Sequence, residues 1–365
     1  MSNSRTLSDF VGSSGTPAFS SNTTFLANTA HVGAATFANT VTVANSGITF
    51  GDNSQVGSAV SFGMRNKIIN GGFDVWQRAT SFTDWGSFAY LVDRMRIGYD
   101  GTPATGRTLT QQVFTPGQTD VPEGDPKYYA QYAFPSVGTP TNYLRWDIEG
   151  VRTLAGKKAT FSFWARVPSG TMTIGVAICQ EFGSGGSPSA GVYPAQTNYT
   201  VTTTWQKFVY TTTIGSIVGK TIGTNNDDRI WPAVWFPTNA AGTVQLSNFQ
   251  LEEGGIATPF EKRPYGLELA LCQRYFLPVA YQSLTCGAYA AGSCSFRSII
   301  NMRAAPTYSS TATTIEAVGV ATPTISATYN YSSATKLHVD YSFGSPTVVA
   351  YSPLGNPAFT LSAEL

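Results

Sequence analysis

Charge is what this sequence has least of. Only 12% of its 365 residues are Asp, Glu, Lys or Arg, against the ~25% of an average soluble protein. Twenty-two basic residues against 21 acidic ones leave a net charge of +1. That excludes the basic surplus with which a nucleic-acid binder displaces counterions from phosphates, so no nucleic-acid partner is expected. Cysteine is scarce as well. Cys179, Cys272, Cys286 and Cys294 are too few and too scattered for a disulfide framework or a zinc spacing, although Cys286 and Cys294 would flank a hairpin, as a bridge or as two free thiols. His31 and His338 are the only histidines, which argues against a two-histidine metal motif and a Ser-His-Asp site; no metal, cofactor or catalytic residue is expected. No apolar run approaches the ~20 residues that span a bilayer, and "MSNSRTLSDF" lacks the basic and apolar regions of a signal peptide. The expectation is a soluble chain without membrane insertion.

What is present points to sheets. The chain has 36 Gly, 20 Pro and 42% hydrophobic residues, set in a Thr/Ser/Asn-rich texture that supplies turns and small strand residues. The predicted fold class is all-β, with more than one core.

Residues 21–64 contain an internal echo. "TFLANT", "TFANT" and "TFGDNS" begin at Thr24, Thr36 and Thr49, with "TVANS" from Thr42 as a degenerate copy. Each offers a strand-like step and then an Asn turn. Segments this short cannot bury their own apolar faces, so several chains, taken as three, are expected to share an axial core of Phe25, Phe37, Val43, Ile48 and Phe50. A plain Ser/Thr/Asn linker fits the same composition.

From Asn66 the runs lengthen and alternate. In "NYLRWDIEGV", Leu144, Trp146 and Ile148 face one side and Arg145, Asp147 and Glu149 the other, the period of a half-buried strand. "ATFSFWARV" turns Phe161, Phe163, Ala165 and Val167 inward; "TMTIGVAIC" does the same with Met172, Ile174, Val176 and Ile178. "TVQLSNFQLEE" changes phase between Leu246 and Phe249, which predicts a bulge at Ser247-Asn248. Pro259 and Pro264 stop that strand. "LELALCQRYF", 267–276, reads as a short helix with Leu267 and Leu271 at i, i+4. In the connector, Glu252 and Glu253 point to opposite faces, and Glu261, Lys262 and Arg263 read as a solvated, mutually compensating cluster.

These blocks carry a resemblance. "NKIINGGFDVWQR", "YLVDRMRI", "ATFSFWARVPSG", "TVTTTWQKFVYT" and "VQLSNFQLEEGGIATPFEKRPYGLELALCQRYF" resemble a module of bacteriophage tail-fibre and related virion proteins, itself similar to the jelly-roll carbohydrate-binding modules of glycoside hydrolases. The resemblance covers roughly residues 66–276. It implies a jelly-roll β-sandwich carried on a virion. "SNSRTLSDFVG" also resembles the particle-docking start of phage fibres. Some of the carbohydrate-binding modules hold calcium with acids in the final strand, where this chain has "LSNF", so calcium is not expected.

The expected organisation is therefore a virion-docking segment (1–20), a trimerising thin β-stalk (21–64), a jelly-roll sandwich (65–265), a connecting helix (266–278) and a smaller C-terminal β-domain at the distal tip (279–365). Sugar recognition by sandwiches rests on aromatic faces flanked by hydrogen-bonding side chains. "DDRIWPAVWFP" offers Trp231 and Trp235 with Asp228 and Arg229; a plainer reading puts both tryptophans in the core. Trp164 is either a platform or a packing residue, while Trp76 and Trp205 read as core. Tyr308, Tyr329 and Tyr331 sit among small polar residues as in adaptable recognition loops, with "TYNYSS" as a loop at the tip or an edge strand. The expected function is a homotrimeric tail fibre or similar appendage. It would be assembled in the host cytoplasm, joined to other virion proteins through its N-terminus, and would attach to host-surface polysaccharide or another receptor. A fibre or connector without receptor binding is the alternative, and a polysaccharide depolymerase a further one; no enzyme is expected.

Overall fold

The computed structural model describes residues 48–49, 55–56, 64–99, 105–136, 141–279, 302–304, 307–310, 325–333, 336–343 and 359–364. The docking segment and Phe25, Phe37, Val43 and Phe50 lie outside the described residues, as do Cys286 and Cys294. Two short strands, β1 (Ile48–Thr49) and β2 (Gln55–Val56), pair with each other, Ile48 opposite Val56. Then follow β3 (Ser81–Thr83), β4 (Ala89–Tyr90), β5 (Met95–Tyr99), β6 (Thr108–Val113), β7 (Tyr128–Phe134), β8 (Asn142–Trp146), β9 (Ile148–Glu149), β10 (Lys158–Arg166), β11 (Met172–Glu181), β12 (Thr197–Val201), β13 (Gln206–Thr213), β14 (Arg229–Trp235) and β15 (Gly242–Glu253). Helix α1 (Tyr265–Gln273) leads to β16 (Phe276–Val279), β17 (Thr307–Ser310), β18 (Ile325–Ser333), β19 (Lys336–Phe343) and β20 (Phe359–Ser362).

The sandwich has a six-stranded sheet, in the order β13-β10-β15-β7-β6-β3, and a seven-stranded one, β12-β11-β14-β8-β5-β4 with β9 also on β14. Every pairing is antiparallel. The jelly-roll sandwich is thus the architecture. The residues expected to point inward on β8, β10 and β11 do so, and together they form the main core. Phe249 sits at its centre, stacked on Phe163 (5.0 Å, 7°) and edge-on to Phe73. Burial of each such ring contributes about 1.5–3 kcal/mol. The predicted bulge puts it there. Ser162 pairs with Gln250 but Trp164 with Ser247, and Asn248 takes φ 52°, a left-handed value that Asn tolerates.

The segment 66–73 clamps onto that bulge. Asn66 donates to the Phe249 carbonyl (3.0 Å) and accepts from the Leu251 N–H (3.0 Å), while Phe249 N–H donates to Gly71 O (2.9 Å). A Cβ at Gly71 would lie 2.0 Å from the Phe249 oxygen, so only glycine allows this approach.

The connector corrects one expectation. Arg263 is buried rather than solvated: it donates to Ile68 O (3.0 Å) and Asn66 O and pairs with Glu268 (3.1 Å), which also accepts from Asn70 N–H. Helix α1 accordingly turns Glu268 and Cys272 inward and leaves Leu267 exposed, because the buried guanidinium requires its carboxylate. The adjacent glutamates do diverge: Glu252 is buried against Thr258 (2.6 Å), and Glu253 pairs with Lys157 at the surface.

The helix ends at Gln273, earlier than expected, because the chain is already extended at Phe276 in a sheet of order β16-β20-β17. The C-terminal region meets the sandwich closely. Ala363 N–H donates to Tyr275 O (2.7 Å), and Glu364 pairs with Arg78 (2.9 Å) and Arg94, whose guanidiniums lie on the rings of Phe276 (3.7 Å) and Tyr275 (3.5 Å). The described residues from 48 onward belong to one compact unit.

Candidate functional site

The outward face of the seven-stranded sheet is built by strand alternation. On β14, Ile230 and Val234 enter the core while Arg229, Trp231, Ala233 and Trp235 take the other side. Across the sheet, Glu181 lies opposite Arg229, Cys179 opposite Trp231, Gly175 and Tyr143 opposite Trp235, and Arg145 between Ala233 and Arg96. Small residues at Gly98, Gly175, Ala177, Cys179 and Ala233 floor the face. Large rings stand along it. At Gly98 a Cβ would come within 2.5 Å of the Tyr143 ring, so the tyrosine lies over a strand that only glycine leaves bare.

The result is a cleft of about 600 Å³ with Phe88, Tyr143, Tyr193, Trp231 and Trp235 among its walls and Arg96, Arg145, Glu181, Arg229 and Gln196 as its polar lining. Tyr143 stacks on Trp231 (5.9 Å, 16°), which also meets Trp235 (6.0 Å) and Tyr193 (6.0 Å). Trp231 is an inner layer, 4% exposed, whereas Trp235 is half-buried and Tyr193 is 62% exposed at the rim. A two-way backbone bridge between Gln180 and Val192 (2.8 and 2.9 Å) holds Tyr193 in place.

Beneath the rings runs a charge network. Asp147 lies where the β14 ladder breaks: residues 233–235 pair with β8 and 229–230 with β9, leaving Trp231 and Pro232 without a partner on that side. Proline, which has no N–H to offer, suits that gap. Asp147 is fully buried and receives Arg145 (2.9 Å), Arg96 (2.9 Å) and the Tyr90 hydroxyl (3.0 Å), with Arg229 at 4.0 Å. Burial alone would push its carboxyl up; the guanidiniums of Arg145, Arg229 and Arg96 together outweigh that and hold it below the usual carboxylate range. Glu181 accepts from Trp231 Nε1 (3.0 Å) and pairs with Arg145 (3.3 Å) and Arg229. Arg145 also lies over the Trp231 ring, 4.6 Å from its centroid. Burial raises the Cys179 thiol to about 12, so it acts as a small neutral floor residue. The Tyr193 hydroxyl is raised too, by burial and then by Glu181.

Three of the residues singled out in the sequence, Trp231, Trp235 and Arg229, meet in this cleft. The tryptophans are outside the main core, on the opposite face of the sheet. Asp228 does not join them: its carboxylate accepts the Val151 N–H (2.8 Å) and its carbonyl the Gly150 N–H (3.0 Å), so it fixes a turn. Tyr308 lies on β17 opposite Leu361, and Tyr329 and Tyr331 lie on β18 opposite Val339 and Leu337. "TYNYSS" is thus a strand of a two-stranded hairpin, not a loop; alternating Tyr residues suit extended backbone. Sequence reasoning missed Tyr143, Arg145, Glu181, Tyr193 and Arg96. The signal was available: Gly98, Gly175, Ala177 and Ala233 mark a bare strip on the same face as the rings.

Neither a family model nor a curated protein matches the chain. Solved structures overlap it in part. The enzymatically active domain of bacteriophage CBA120 tailspike protein 4 aligns at 12% identity with a TM-score of 0.33, covering 52% of this chain and 22% of that one, so this chain spans about a fifth of its length. A carbohydrate-binding module, CBM4, aligns at 18% identity and 0.31, covering 51% of this chain and 98% of its own. The module TmCBM61, solved with β-1,4-galactotriose, aligns at 16% identity and 0.27, covering 52% and 99%. Overlaps this slight carry no argument about activity.

Proposed function

We propose that the chain is a glycan-binding component of a phage virion appendage, and that the cleft across the seven-stranded sheet holds the sugar. The observation that carries this reading is the joining of Trp235, Tyr193 and Tyr143 to Arg96, Arg229, Glu181 and Gln196 in one open cleft. Pyranose rings present apolar C–H faces that stack on aromatic rings and hydroxyls that bond charged and amide side chains. Small floor residues keep the rings accessible to an extended polymer.

Binding rather than cleavage is the proposed activity. Acid-assisted glycoside cleavage requires a carboxyl that keeps its proton near neutral pH. Asp147, the carboxyl buried under the cleft, is held ionised by arginines. The virion assignment rests on the sequence blocks that resemble tail-fibre modules, and trimerisation on the repeat at residues 21–64.

Affinity electrophoresis of the full chain through gels containing host surface polysaccharide tests the cleft. Retardation is expected, and Trp235→Ala and Tyr193→Ala are expected to weaken it about tenfold each without changing thermal unfolding by more than a few degrees. Retardation that survives both substitutions would falsify the cleft assignment. Solution mass tests assembly: a trimer that becomes monomeric when the chain starts at Asn66 is expected, and a full-length monomer overturns the shared stalk core.

A further inference from the structure

The charges of the cleft are not balanced. Its lining carries the guanidiniums of Arg96, Arg145 and Arg229 against the single carboxylate of Glu181. Asp147, wholly buried beneath them, is a second carboxylate in contact with all three. The lining itself is thus three guanidiniums to one carboxylate. Aromatic walls of low polarity concentrate such a field.

The anions already present are saturated. Glu181 serves Trp231, Arg145 and Arg229 at once. Asp147 serves Arg145, Arg96 and Tyr90. Arg229 and Arg145 are not: Arg229 Nε is buried without a hydrogen-bond acceptor among the described residues, with Asp147 Oδ1 4.0 Å away. Arg145 Nε lies near the same oxygen but in poor hydrogen-bonding geometry. Guanidiniums crowded into one cleft repel one another, and an incoming anion relieves that repulsion. Arginine suits the task, because its fork matches a carboxylate in two parallel hydrogen bonds.

Building on the glycan reading above, we propose that the cleft selects an acidic polysaccharide. The ring of a carboxylated sugar, a uronate or a nonulosonate, stacks on Trp235 and Tyr193, and its carboxylate meets Arg229 and Arg96. Glu181 acts as an internal competitor, an anion that occupies the same guanidiniums until the ligand arrives. The two kinds of variant therefore act in opposite directions. Removing Arg229 weakens binding, whereas neutralising Glu181 frees two guanidiniums and strengthens it. A residue that only supports the fold would not separate the signs in this way.

The test uses the full chain in affinity gels with polygalacturonate and with polysialic acid, each beside its carboxyl-reduced form, and with a neutral galactan. At least one acidic polymer is expected to bind about tenfold more tightly than its reduced form, with affinity falling as salt is raised; which of the two binds distinguishes uronate from nonulosonate. Arg229→Gln and Arg96→Gln are each expected to lower that affinity about tenfold, and Glu181→Gln to raise it several-fold. Equal binding of acidic and reduced polymers, or a Glu181→Gln variant that weakens binding, overturns the proposal and leaves the glycan reading standing. Retention of neutral galactan alone does the same. Failure of every polymer to bind overturns the acidic-sugar proposal, while the glycan reading stands or falls by the host-polysaccharide gels, and equal retention of oligothymidylate overturns the sugar-acid assignment in favour of a general anion site.

Discussion

The two outer faces of the sandwich carry similar material and put it to different ends. On the six-stranded sheet, Trp164 and Trp205 gather with Phe114, Val121 and Tyr129, and the Phe114 ring lies 4.7 Å from Tyr129 and 5.4 Å from Trp205. That cluster is sealed. Phe114 and Val121 belong to the turn between β6 and β7, which folds back over the sheet and is pinned by Glu123 to Lys207 (2.8 Å) and to Asn248 (2.6 Å). On the seven-stranded sheet, Trp231 and Trp235 gather with Tyr143, but charged side chains take the place of a covering loop and the rings line an open cleft. A tryptophan opposite the core is therefore ambiguous by itself. What crosses over it decides between packing and recognition.

The largest expected effect lies on the sealed face. Trp205→Ala should cost about 3–5 kcal/mol of stability by urea unfolding, as for other large-to-small substitutions of buried aromatics, and leave glycan retention unchanged. A loss of retention at constant stability would mean that both faces bind. Next in size is the anion under the cleft. Asp147→Asn leaves buried guanidiniums without their charge partner and should cost about 3 kcal/mol at neutral pH. Because the folded carboxyl is depressed, its contribution is present above the unfolded value of ~3.9 and is lost as pH falls through the lower folded value. The stability gap between wild type and Asp147→Asn should therefore close below about pH 4; a gap constant down to the acid limit would show that the arginines do not hold that carboxyl.

Smaller effects sharpen the contrast. Trp235→Ala should change stability by less than about 1 kcal/mol while weakening retention about tenfold, the reverse of Trp205→Ala. Gly98→Ala should tilt the Tyr143 ring, since its Cβ would meet that ring at 2.5 Å, and reduce affinity a few-fold with melting nearly unchanged. Unaltered affinity there would mean that the ring's placement does not matter to the ligand.

Much of the sandwich was legible in the sequence because alternation is a local signal. The inward rows on β8, β10 and β11 follow from period two, and the phase change between Leu246 and Phe249 marked the bulge at Asn248. The polar row on β8 misled for a physical reason. Alternation says that Arg145 and Asp147 leave the core, but not that arginines from β5 and β14 will bury them on the far side. Such a network is assembled from strands distant in sequence, so no window reveals it. Arg263 was misread in the same way: its neighbours Glu261 and Lys262 suggested a surface cluster, while its partners, Asn66, Ile68 and Glu268, include two that lie nearly the whole sandwich away along the chain. Glycines in mid-strand were the most informative signal left unused.

The clasp formed by Asn66, Arg263 and Glu268 also sets how the chain bears tension. The polypeptide enters the sandwich at Met64 and leaves it at Phe276; near the entry Lys67 N–H reaches Leu251 O (2.7 Å), and at the exit Gln77 reaches Phe276 O (3.0 Å). A pull between entry and exit therefore runs through that clasp as a shear across several hydrogen bonds and one buried ion pair. It also reaches the seven-stranded sheet, because Arg274 and Arg303 both pair with Glu149 on β9 (2.8 and 3.3 Å). The sheet that carries the cleft would therefore share such a pull, and the cleft with it.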